Sequence, residues 1–170
     1  MNNKSRIRTV AIATICLCLC FVSSAHAQTT DTKKETKVSG HASGSFEVKL
    51  VPQPASEEEA KTAFGRMSID KQFHGDLEGT SKGMMLASGS AQKSGAYVAL
   101  EKVTGTLKGR SGSFVLQHSA TMTRGTPQLS ITVVPDSGTG QLEGLAGNMN
   151  IKITDGKHFY EFDYTLPEIH

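Results

Sequence analysis

Residues 114 to 122 read Phe-Val-Leu-Gln-His-Ser-Ala-Thr-Met. Phe114, Leu116, Ala120 and Met122 alternate with Gln117, Ser119 and Thr121, so one side of this stretch is apolar with a period of two. That is the pattern of a half-buried strand, and His118 falls on its apolar side. The same period recurs along the chain. Phe46, Val48 and Leu50 alternate with Glu47 and Lys49, and Met67, Ile69 and Phe73 with Ser68, Asp70 and Gln72. Tyr97, Ala99 and Val103 share a face, as do Leu129, Ile131 and Val133, then Met149, Ile151 and Ile153. Tyr160, Phe162, Tyr164 and Leu166 form the last such row. With a further strand near Gly83 to Gly89, about eight strands are expected, separated by Gly, Pro, Asn and Asp. No helical period exceeds two turns. The expectation is an all-β fold, a closed eight-stranded antiparallel β-barrel, because closure removes edges that the sequence does little to protect.

A second pattern is G-x-L-x-G, written three times: Gly75 to Gly79, Gly105 to Gly109 and Gly140 to Gly144. A phosphate-binding loop would need G-x-x-x-x-G-K-[ST], which is absent, or G-x-G-x-x-G opening a helix. The nearest approach, Gly138-Thr139-Gly140, runs on into strand pattern. In a strand both glycines lie on the leucine's side, so the strings are read as bends in a barrel wall with Leu77, Leu107 and Leu142 facing inward.

The amino terminus has the form of a secretory signal. Lys4, Arg6 and Arg8 precede an apolar stretch from Val10 to Val22, and Ala25-His26-Ala27 supplies a cleavage site, giving a signal peptide over 1–27. An uncleaved anchor is the alternative, and lipid attachment at Cys20 fits less well with Leu19 before it. Cys16, Cys18 and Cys20 all lie in the apolar stretch, so the mature protein carries no disulfide, no thiolate metal site and no Cys nucleophile. The 18 basic residues fall to 15 against 16 acidic ones, a charge of about −1 with His neutral. The charge therefore gives no support for a nucleic-acid partner. Residues 28–37 read as a polar, disordered tether, and 38–167 as one barrel domain. Between the first two strands, Ser56 before Glu57-Glu58-Glu59 could cap a helical turn, although a solvated loop is the preferred reading. An exported location, periplasmic or secreted, without stable membrane insertion after signal cleavage, is the expectation from this pattern.

Candidate functional residues are the polar ones with inward parity. Lys71 interrupts Met67, Ile69 and Phe73, and Glu101 shares a face with Tyr97, Ala99 and Val103. Lys71, Tyr97, Glu101 and His118 are therefore candidate ligand-binding residues, and Glu101 and His118 candidate proton-transfer residues. A structural hydrogen-bonded network is the competing reading. Arg124, in a hairpin turn at the rim, could hold an anionic group. His74 and Asp70 belong to a solvated face with Asp76 and Glu78, and His158, beside Asp155-Gly156-Lys157, is expected to be exposed. No metal set, cofactor motif or G-x-S-x-G elbow is present.

Residues 137–147, SGTGQLEGLAG, resemble the G-x-G-x-[FL]-x-G-[AL]-x-G signature of allene oxide cyclase and dirigent-like barrels. More closely, GRMSIDKQFHGDLEGTSKG (65–83), GRSGSFVLQHSATMTRG (109–125), PQLSITVVPDSGTGQLEGLAG (127–147) and FDYTLP (162–167) resemble the bacterial domain of unknown function 3224 family. The resemblance spans roughly residues 40 to 167. It implies an eight-stranded barrel of the allene oxide cyclase kind and no particular activity. The function expected is an exported, non-enzymatic barrel binding a small apolar ligand in its lumen, without cofactor. The alternatives are a cyclase or isomerase using an enclosed cavity, and a structural homo-oligomer without ligand.

Overall fold

The computed structural model describes residues 36–62, 64–90 and 93–168. The expected signal peptide and almost all of the expected tether lie outside the described residues, although Lys37, read as the tether's last residue, already begins the first strand. Eight strands follow in order: β1 (Lys37–Pro52), β2 (Phe64–Gly75), β3 (Leu77–Gly89), β4 (Ser94–Leu107), β5 (Arg110–Thr123), β6 (Thr126–Val133), β7 (Ala146–Thr154) and β8 (Lys157–Pro167). Each pairs antiparallel with its neighbour, and β8 returns to β1 from Lys37↔Pro167 to Phe46↔His158, closing the barrel. The expected architecture is the observed one. Among the described residues no helix is long and apolar enough to cross a membrane.

The two ends of the barrel differ. One end is sealed. It holds the start of β1, the end of β8, and the β2–β3 and β4–β5 turns. Leu77 and Leu107 face each other across β3 and β4, and both are fully buried with Leu142 in the same cluster. Phe114 stacks on Phe162 at 5.9 Å, and Phe73 meets Tyr160 edge-on at 5.7 Å. The Tyr160 hydroxyl accepts the Leu77 N–H at 2.8 Å, tying the first G-x-L-x-G turn to β8. Buried leucines and aromatics of this kind each stabilise by about 1.5–3 kcal/mol through burial alone.

The three G-x-L-x-G strings have two explanations rather than one. Gly79 and Gly105 face each other in register, and a Cβ on either would stand 2.3 or 2.1 Å from the opposite strand's backbone carbonyl. These two strings therefore permit close strand approach, as the parity argument expects. The third is not a strand bend. Gly140–Leu142 is a single 3-10 turn, with Gly140 at φ 61° and Gly144 at φ 75°, a region that favours glycine. That turn lies in the β6–β7 connection, which folds across the sealed end and bonds to β5. Thr139 donates its N–H to Ser113 O at 2.8 Å, and the Ser113 N–H returns to Thr139 Oγ1 at 3.0 Å. Arg110 clamps the same end, donating from Nε to Gln141 O at 2.9 Å and from Nη1 to Pro167 O at 3.1 Å.

The other end is a mouth bounded by the β3–β4, β5–β6 and β7–β8 turns and the β1–β2 connection. In that connection Glu57–Ala60 forms one helical turn, where a loop had been the preferred reading. Ser56 and Glu59 close a reciprocal capping box, so the local motif outweighs the proline-rich surroundings. His158 is half-buried rather than exposed, because its ring lies 5.1 Å from that of Phe46.

Candidate functional site

Four neighbouring strands each place one polar side chain in the lumen, midway between the sealed end and the mouth. Lys71 comes from β2, Ser81 from β3, Glu101 from β4 and His118 from β5, and all four are buried. Register explains the meeting: Lys71 is paired with Ser81, and Glu101 with Leu116, one inward position from His118. Lys71 Nζ donates to Glu101 Oε2 at 2.8 Å, and the Ser81 hydroxyl donates to Glu101 Oε1. His118 Nε2 lies 3.0 Å from Glu101 Oε2, but its direction misses hydrogen-bonding geometry, so the contact is electrostatic. Lys71 Nζ also sits 4.7 Å above the Phe46 ring and 5.5 Å from that of Phe73, which adds cation–π attraction where water is excluded.

These contacts determine the state of Glu101. Burial pushes its pKa upward, but His118, the Lys71 ammonium and the Ser81 hydroxyl outweigh burial and hold it down to about 2. The carboxylate is thus ionised and engaged on both oxygens. A general base works best with a pKa near the operating pH, so Glu101 is a poor proton acceptor near neutrality. The arrangement has the chemistry of a buried ionic tie linking four strands.

Above this tie, towards the mouth, the wall opens. Ala87 on β3 and Ala120 on β5 stand in register on either side of Tyr97, and Leu129 on β6 follows Ala120. Small side chains beside one large ring leave space. A pocket of about 330 Å³ lies here against β3 to β6, lined by Met85, Ala87, Tyr97, Ala120, Met122 and Leu129 among others. No charged side chain lines it. Volume and lining suit a small apolar molecule. Of the residues singled out by parity, the structure brings Lys71, Glu101 and His118 together and places Tyr97 in the pocket. Arg124 stands apart, exposed in the β5–β6 turn at φ 49° and not lining the pocket. Parity also left Ser81 unnoticed, although it shares a face with Leu77 in the same strand.

On the outer wall, His74 approaches Glu47 at 3.0 Å and Glu78 at 3.6 Å, the solvated arrangement expected of that face. His41 is held between Asp163 and Glu161, each at 2.7 Å; its hydrogen bonds to the two carboxylates, Asp163 first, raise its pKa. No group of three or more His, Cys, Asp or Glu side chains suited to a metal occurs among the described residues.

Comparison with known proteins places this barrel. The family model described as "Protein of unknown function (DUF3224)" matches residues 42–164. A crystal structure of a DUF3224-family protein of unknown function from Shewanella oneidensis MR-1 is 45% identical, with a TM-score of 0.66. The match covers 80% of this chain and 100% of that one. Curated proteins give no match. With the family model spanning most of the barrel, the chain belongs to the DUF3224 family.

Proposed function

We propose that this barrel is an exported, non-enzymatic binder that takes up one small, largely apolar molecule through its mouth. The observation carrying this reading is the uncharged pocket of about 330 Å³ around Tyr97, on the mouth side of the packed core. The amino-terminal charge and hydropathy pattern supports export. The cyclase or isomerase reading has less support, because Lys71, Glu101 and His118 engage one another and do not line the pocket. Replacing Ala120 with Trp fills the pocket while leaving the buried tie in place. Displacement of the neutral dye Nile red by apolar probes is expected to fall at least about tenfold in this variant. Circular dichroism should be unchanged. Wild-type binding retained in Ala120→Trp overturns the assignment to this pocket.

A second reading, association between copies of this chain, draws on the outer wall. Met84 pairs with Leu100 and Leu86 with Val98, forming an apolar patch whose members are 41–57% exposed. Contiguous apolar surface of this kind marks contact sites more often than isolated residues do. If a second copy covers it, light scattering should show an oligomer that Val98→Lys dissociates. A monomer at high concentration removes this reading.

A further inference from the structure

The pocket has one internal polar handle. Tyr97 stands between the small Ala87 and Ala120 in its cross-strand row, and no described residue hydrogen-bonds its hydroxyl. The remaining polar lining groups, such as Ser88, Thr121 and Gln128, lie at the hairpins of the rim. Thr121 Oγ1 and Gln128 Oε1 are already joined at 3.4 Å. Glu101 lies two inward positions below Tyr97 on the same face of β4, past Ala99, while its cationic partner Lys71 approaches from β2, two strands away. Burial, and then the charge of Glu101, raise the phenol's pKa, so at neutral pH it is an O–H donor. A half-buried phenol without a protein partner reaches water in the open pocket, and a ligand that displaces this water keeps the hydroxyl satisfied only by bringing an acceptor. A ligand anion placed there would lose its hydration with no cation in the pocket lining to compensate it.

We infer that the pocket selects neutral apolar molecules bearing a single hydrogen-bond acceptor, a ketone, aldehyde, ester or ether oxygen engaged by the Tyr97 hydroxyl, and rejects the corresponding carboxylates. This rests on the ligand-binding reading above and adds the chemical class of the ligand.

Three probes of one shape test it: benzophenone, diphenylmethane with a methylene in place of the carbonyl, and diphenylacetate. Each competes with Nile red on wild-type protein and on Tyr97→Phe at neutral pH. Benzophenone is expected to bind about three- to tenfold more tightly than diphenylmethane in wild type, the range of one net hydrogen bond. In Tyr97→Phe that ratio should fall to near one, with diphenylmethane affinity kept. Diphenylacetate should bind more weakly than either neutral probe in wild type. Equal binding of ketone and hydrocarbon in wild type, or an unchanged ratio in Tyr97→Phe, overturns the role of Tyr97 and leaves the apolar pocket standing. Diphenylacetate binding as tightly as benzophenone overturns the rejection of anions. If no probe displaces the dye and no dye binds, the ligand-binding reading falls together with this inference.

Discussion

Lys71→Met is expected to destabilise the barrel by about 3–5 kcal/mol, the cost of leaving a buried charge without its partner. Glu101 is fully buried and would keep only the Ser81 hydroxyl and the misaligned His118 contact. Methionine retains much of the lysine stem's contact with Phe46 and Phe73, so the loss reports on charge more than on packing. The double replacement Lys71→Met with Glu101→Leu should recover most of the stability, since a well-packed apolar pair can replace a buried ion pair at little cost. Guanidinium unfolding of the three proteins measures both values. A single-variant loss below about 1 kcal/mol would mean that the tie contributes no more than a surface pair.

The same carboxylate makes the fold sensitive to acid. The folded-state pKa of Glu101, about 2, lies below the ordinary 4.5. A depressed carboxylate contributes stability that is fully present above its unfolded pKa and disappears as pH falls through the folded value. Loss is therefore expected between about pH 5 and pH 2, and the shift corresponds to about 3 kcal/mol at most. The slope of unfolding free energy against pH in this window should be shallower in Glu101→Gln than in wild type. Parallel slopes in the two proteins would assign the acid response to other groups.

The strand pattern was legible because the lumen demands it. Phe114, Leu116, Phe162 and Leu166 are buried where alternation places them. Lys71, Glu101 and His118 were legible for the same reason, since a charged residue on an apolar face needs an explanation. Ser81 gives no such signal, because serine is small and occurs on either face of a strand. The pocket could not be read from alternation at all. It arises from cross-strand neighbours, Ala87 and Ala120 flanking Tyr97, which depend on register between distant segments. The sealed end was misjudged in one respect. Gly140 to Gly144 shares its glycine and leucine spacing with two strings that each reach a hairpin turn, with Gly75 at φ 107° and Gly109 at φ 83°, but positive φ at both of its own glycines turns it into a plug. Apolar parity also overstates burial where strands run towards the mouth: Leu50 and Ile153 are exposed.

The start of β1 at the sealed end has a consequence for orientation. Lys37 pairs with Pro167, so both ends of the barrel's chain meet beside the leucine plug, away from the mouth. The barrel's chain therefore enters and leaves at the end opposite the mouth. A linkage made at either end of the barrel's chain is expected to leave the mouth open to the surrounding medium.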